Sequence, residues 1–225
     1  MIRGGEMIES STAKKTMTMV EQDLLKMGNL VEETMRNAIK ALREQNVDLA
    51  RLVIEKDDLI DNLQIVIEEE IEQMVSKTPQ VGFDLRRDFT TIKIVNDLER
   101  IGDYATNIAQ VVLELKNDKY IKPLVHIPKL AVLAMNMVST VLKAFVERNA
   151  DLAEAVCRKD EEVDNIYEEI QEELIGILAE DLSPQVAFQA SRFLLIAEWL
   201  ERTADHATNI GEETIYIVTG KRVKY

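Results

Sequence analysis

One stretch of this chain occurs twice. KALREQNVDLARLVIEKDDLIDNL at residues 40–63 matches KAFVERNADLAEAVCRKDEEVDNI at 143–166, an offset of 103, and LERIGDYATNI at 98–108 matches LERTADHATNI at 200–210, an offset of 102. Two matches in one order at nearly one offset mark a duplicated unit of about 100 residues. Whatever this chain folds into must be a structure that can be built twice.

The unit is helical. Prolines stand only at Pro79, Pro123, Pro128 and Pro184, leaving long uninterrupted segments between them, and proline is tolerated at helix starts and between helices but not inside them. Within the segments apolar residues recur at helical spacing. From about Glu6 to Glu44 the stripe is Leu24, Met27, Leu30/Val31, Met35, Ile39 and Leu42. From about Val47 to Ser76 it is Leu49, Leu52, Leu59, Leu63, Val66 and Met74, and from about Asp84 to Lys116 it is Ile94, Leu98, Ile101, Ala105, Ile108 and Val112. NDKYIKPLVHIP (117–128) carries two prolines and no period, and reads as a linker. The expected fold is therefore all-α, an elongated tandem repeat of two three-helix bundles (six long helices), divided as 1–122 and 123–225. Helices of some 30 residues make rods about 45 Å long. Eight Gly and four Pro in 225 residues are too few turn formers for a sandwich or barrel.

The charge excludes some partners. With 41 Asp+Glu against 27 Lys+Arg the net charge is −14, which repels phosphate backbones and anionic lipid, and no basic patch offsets it. No nucleic-acid role and no membrane insertion are expected. The N-terminus MIRGGEMIESSTAKK lacks the apolar core of a signal peptide and no run reaches about 18 apolar residues, so the expected location is the cytoplasm. The single cysteine, Cys157, sits in a helical pattern and reads as a small buried hydrophobe.

The residues that could carry chemistry are acidic. Glu99 and Asp103 fall one turn apart on the helix face opposite the apolar stripe, and Glu201 and Asp205 do likewise. Asp57 and Asp61 form the same i,i+4 pair, repeated by Asp160 and Asp164. Like charges at this spacing destabilise a helix, and no Lys or Arg stands four residues from Glu99 or Asp103; yet both units keep both pairs. Either these are solvated faces, or the carboxylates share a cation. Oxygen-only ligation suits Mg²⁺, Ca²⁺, Mn²⁺ or iron in an oxo- or hydroxo-bridged cluster.

DLRRDFTTIKIVNDLERIGDYATNIA, followed by a second LERTADHATNI, resembles the PhoU family of phosphate-signalling proteins over essentially the whole chain. The resemblance implies a non-enzymatic cytoplasmic regulator that restrains phosphate uptake. Its partners would be the ATP-binding subunit of the phosphate ABC transporter and the phosphate sensor histidine kinase, and it would form a homodimer. It also implies that Asp57, Asp61, Glu99 and Asp103 line one metal site and Asp160, Asp164, Glu201 and Asp205 a second, for multinuclear iron or for Mg, Mn, Ca or Zn. This sequence departs from the motif in its second unit, where Thr203 and Ala204 replace Ile101 and Gly102, which puts helix packing there in question.

Two other functions compete. A metal-independent helical adaptor would use the acidic surface for solubility and docking. A carboxylate-bridged di-iron enzyme would need Glu-x-x-His on paired helices, and neither His126 nor His206 has an acid three residues before it. Serine elbows and Gly-rich phosphate loops are missing, so no catalytic residue is expected. Of the lesser residues, His206 reads as a tip-exposed imidazole without a role and His126 as exposed in the linker. Trp199 reads as an inter-bundle or partner contact, the methionines as core filler, and Arg86 and Arg100 as salt-bridging or phosphate-contacting.

Overall fold

A computed structural model describes the backbone of residues 3–77 and 81–225 and the side chains of 19–77 and 81–225; Pro79 falls outside these. The helices are α1 (Arg3–Glu44), α2 (Val47–Glu55), α3 (Asp57–Lys77), α4 (Phe83–Glu114), α5 (His126–Glu147), α6 (Ala150–Cys157), α7 (Asp160–Glu180) and α8 (Pro184–Thr219). They form six rods, because α2 with α3 and α6 with α7 are two rods each broken once. The breaks fall at equivalent residues, Lys56 and Lys159, after which the chain restarts as helix on Asp57 and Asp160. The sequence pattern shows one continuous second helix; the structure gives two segments separated at a turn residue.

The bend between the first and second rods is also built twice. Gln45 and Arg148 adopt left-handed backbone at φ 48° and 52°, a conformation that closes helices but is uncommon outside glycine. Asn46 and Asn149 then cap the next helix, each side chain accepting the backbone N–H three residues on at 3.0 Å. The Gln45 amide donates to the Asp118 carbonyl at 2.8 Å, which ties the corner to the end of α4.

One hydrophobic core runs through both halves. The α1 and α4 stripes lie as the periodicity indicates, with Leu24, Met27, Val31, Met35 and Leu42 buried beside Ile94, Leu98, Ile101, Ala105, Ile108 and Val112. The second rod differs. Its core line is Ala50, Val53, Ile60, Ile67, Ile71 and Met74, while Leu52, Leu59 and Val66 of the expected stripe are exposed. The rod carries apolar residues on two faces, and its packing against α1 and α4 decides which one turns inward.

The segment expected as a free linker is clamped. Helix α5 begins at His126, inside it, with Pro128 in the first turn, where a missing N–H costs little. Buried Gln189 of α8 accepts from the Ile121 N–H and donates to the Lys119 carbonyl, both at 3.0 Å. The Tyr120 hydroxyl donates to Leu42 at 2.8 Å, and its ring meets Phe193 edge-on. Helix α5 is long and apolar enough by composition to cross a membrane, but half of that stretch is buried inside the bundle, the position of a core helix.

The departure from the motif in the second unit is accommodated by a paired change. A Cβ on Gly102 would stand 2.8 Å from Ile60 Cδ1, so glycine lets α3 and α4 approach. In the second half the repeat equivalent of Ile60 is the shorter Val163, and both it and Ala204 are fully buried. Thr203 is buried too, its hydroxyl donating to the Trp199 carbonyl at 2.8 Å.

Candidate functional site

Because α3 and α7 restart on an aspartate, Asp57 and Asp160 occupy the first turn of a helix, where the free N–H groups favour negative charge. Each helix then packs on the third rod of its half. The acidic pairs therefore face one another across the α3–α4 and α7–α8 grooves; they do not point away from the bundle, as the wheel alone indicates. Asp57 accepts a hydrogen bond from the Thr106 hydroxyl of α4 at 2.9 Å. Glu99 is held above its ordinary range by burial, and then by the carboxylates of Asp103, Asp61 and Asp57. Asp61 is raised by desolvation and by Asp57 and Asp103.

The first cluster has a counter-charge that i,i+4 counting missed. Arg100 reaches Asp103 at 3.1 Å and Glu99 at 3.5 Å, so its fate is a salt bridge within the motif. In the second cluster Arg202 turns instead to Glu198 at 2.6 Å, and the charge is less relieved. Burial, then Asp205, Asp164 and Asp160, push Glu201 up to about 7. Burial, then Asp205 and Asp164, push Asp160 up to about 6. Asp205, at the rim, is raised by desolvation and Asp164 and lowered by His206, Arg202 and Lys224.

Thr208 is the counterpart of Thr106 and is 6% exposed. Its hydroxyl has no partner within hydrogen-bond geometry, although it lies near enough to Asp160 to favour that carboxylate. A buried orphan hydroxyl beside four carboxylates fits an oxygen-ligated cation, as does the donor set itself. All eight residues expected from the sequence thus fall into the two clusters of four. Among the described residues, however, no three His, Cys, Asp or Glu side chains are close enough together to hold an ion as they stand.

Between the clusters runs a seam that the sequence did not reveal. His206 is not a tip residue: it is half-buried where α8 meets α4, with Nδ1 2.8 Å from Asp97 and Nε2 3.3 Å from the Tyr104 hydroxyl. Tyr104 and His206 are repeat equivalents, so their contact marks a pseudo-two-fold relation of the halves. His126 is likewise engaged, 3.1 Å from Glu173, which also pairs with Lys122. Arg86 stacks over Tyr216 at 5.4 Å, and Trp199 packs against the core. Cys157 is buried, donates to Thr208 O at 3.6 Å and is pushed up to about 12, chiefly by burial; it is inert.

The tail after Gly220, which turns at φ 73°, folds back on α8. Arg222 pairs with Glu213 at 3.1 Å and Lys224 with Glu212 at 3.6 Å, while the Tyr225 N–H donates to Glu212 at 2.8 Å. Lys93 of α4 joins Glu213 at 2.6 Å. Despite burial, which acts the other way, these cations hold Glu213 below its ordinary range. The tail walls a polar cleft of about 690 Å³ over the α4–α8 seam and brings a cation near the second cluster alone.

Fold and site together define a duplicated all-α protein with facing acidic motifs in each half. The PhoU domain model matches residues 24–112 and again 127–214, and the chain belongs to the PhoU family. It is 39% identical over 205 residues to the phosphate-specific transport system accessory protein PhoU homolog of Clostridium acetobutylicum, covering 91% of this chain and 93% of that one. It is 36% identical over 220 residues to homolog 1 of Thermotoga maritima, covering 97% and 94%. The crystal structure of PhoU from Pseudomonas aeruginosa superposes with a TM-score of 0.88 at 33% identity, covering 92% of this chain and 99% of that one. The phosphate transport system regulatory protein PhoU from Streptococcus pneumoniae superposes at 0.86 and 32% identity, covering 95% and 100%.

Proposed function

We propose that this chain is a cytoplasmic, non-enzymatic accessory regulator of phosphate uptake and phosphate-starvation signalling. It works by docking to the phosphate transporter's ATP-binding subunit and to the phosphate sensor histidine kinase, and it acts as a homodimer. Membership of a family whose relatives are named phosphate-specific transport system accessory proteins carries this reading. Physically, a docking regulator must bind two states of its partner with different affinity, since equal affinity shifts nothing. A strain lacking the chain should take up phosphate without restraint and express starvation genes in high phosphate; unchanged repression would refute the role.

The acidic clusters are proposed as cation sites, with Asp57, Asp61, Glu99 and Asp103 holding one and Asp160, Asp164, Glu201 and Asp205 the other. The orphan hydroxyl of Thr208 beside Asp160 supports this. All-oxygen donors suit multinuclear iron, Mg, Mn or Ca, with Zn less favoured. A bound cation would supply the positive charge that the crowded carboxylates lack, and the chain's own part is to hold four carboxylates on two packed helices. Elemental analysis of protein purified without chelator, with Glu99→Ala/Asp103→Ala and Glu201→Ala/Asp205→Ala as controls, should find metal that each variant halves. No metal in the wild type, and none on reconstitution, would leave the metal-independent adaptor. That reading draws on the carboxylates standing too far apart to clasp an ion unaided.

A further inference from the structure

The second rod of the first half carries an apolar face that the fold does not use. Leu59, Ile65 and Val66 are 50%, 52% and 43% exposed, although α3 already buries Ile60, Ile67, Ile71 and Met74 on its other side. Leu59 and Val66 stand two turns apart on one line, and Ile65 lies about 100° round the helix from Val66, so the three sit on the exposed half of α3 rather than on one stripe. A helix apolar on two sides normally has both covered.

The duplication supplies an internal control. With the offset of 103 the three positions become Glu162, Glu168 and Glu169 of α7, exposed in the same way, while the core positions Ile67 and Ile71 become Ile170 and Leu174, buried in both halves. The architecture accepts glutamate at all three places, so the apolar residues of α3 are not there for folding.

The charge around the face selects its occupant. Every charged residue of α3 ahead of Lys77 is acidic, and Asp58, Asp61, Glu69 and Glu72 stand at helical spacing from Ile65, all exposed. A second copy would bring the same carboxylates face to face, and an anionic membrane would be repelled. We propose that this exposed side of α3 docks a basic amphipathic helix of a partner protein, its apolar side on Leu59, Ile65 and Val66 and its Lys or Arg residues on the carboxylates of Asp58, Asp61, Glu69 and Glu72 interspersed with them. This rests on the docking reading above; the deletion phenotype tests that reading and the following experiment tests the face, so the two fail separately.

The probe is a synthetic amphipathic helix of Leu and Lys, with a Leu and Glu peptide of the same pattern as control, measured by fluorescence anisotropy on the full chain. The Lys peptide should bind, weaken as salt rises, and lose roughly tenfold in affinity on Leu59→Glu/Ile65→Glu/Val66→Glu. The reciprocal variant Glu162→Leu/Glu168→Ile/Glu169→Val should gain a second site, which decides the matter should the first variant fold poorly. A loss below about threefold with no gain in the reciprocal variant, equal binding of the Glu peptide, or a wild-type dimer that the triple variant dissociates would each overturn the proposal.

Discussion

Replacing Glu201 by Gln keeps the side chain's shape and removes the charge that the second cluster accommodates least well. The Glu201 carboxyl titrates at about 7 in the folded chain and at 4.5 ordinarily, chiefly because burial disfavours its ionised form and then because Asp205, Asp164 and Asp160 do. Below pH 4.5 the group is protonated whether the chain is folded or not, and folding is not penalised. Between 4.5 and about 7 the unfolded chain ionises first, so stability falls with rising pH, and above about 7 the penalty is constant. At about 1.4 kcal/mol per pH unit the ceiling is about 3 kcal/mol, and solvent screening at a half-exposed groove brings it to about 1–2 kcal/mol. Glu201→Gln should therefore stabilise the chelator-treated protein by about 1–2 kcal/mol at pH 8 and leave it unchanged at pH 4. Urea denaturation of both proteins in chelator at each pH unit from 4 to 8 reads this directly. A difference that does not vary with pH, or a variant less stable at pH 8, would refute the crowded-carboxylate reasoning.

Gly102→Ala should destabilise by about 1–2 kcal/mol because its methyl meets Ile60; adding Ile60→Val, the pairing of the second half, should restore most of the loss in thermal denaturation. Thr106→Val removes the hydroxyl that donates to Asp57 and should cost about 1 kcal/mol, whereas Thr208→Val, at a hydroxyl outside hydrogen-bond geometry that still favours the Asp160 carboxylate, should cost less in chelator, and only where Asp160 is ionised. His206→Ala leaves half-buried Asp97 without its partner and should cost about 2 kcal/mol, most of it recovered by Asp97→Leu in a double-mutant cycle. Truncation after Gly220 removes Lys224 from the neighbourhood of Asp205. Calorimetric titration with Mn²⁺ in the Glu99→Ala/Asp103→Ala background should then show tighter binding at the second cluster, an effect that fades with salt.

How much of this was legible beforehand can be argued residue by residue. The duplication, the α1 and α4 core stripes and the eight carboxylates are local facts: they depend on spacing along one helix or on matching one stretch with another. The buried side of α3 was not legible, because Leu59/Val66 and Ile60/Ile67 are equally good helical lines. Choosing between them takes the packing of the rod against α1 and α4, which a periodicity does not contain. Arg100's bridge to Glu99 and Asp103 escaped a count confined to i,i+4, though its i,i+3 spacing to Asp103 was there to be read.

The sequence by itself determined that the chain is all-helical, that it is built twice, and that each copy carries two acidic pairs, because helix propensity, apolar period and repetition are properties of residues and their neighbours. Only the tertiary structure decided that the pairs face each other across a groove, that His206 of one half joins Asp97 and Tyr104 of the other, and that the second cluster bears the stronger repulsion. Those are distances between segments some 50 to 100 residues apart, and the strength of a charge's interactions depends on such distances and on burial, which no one-dimensional pattern contains.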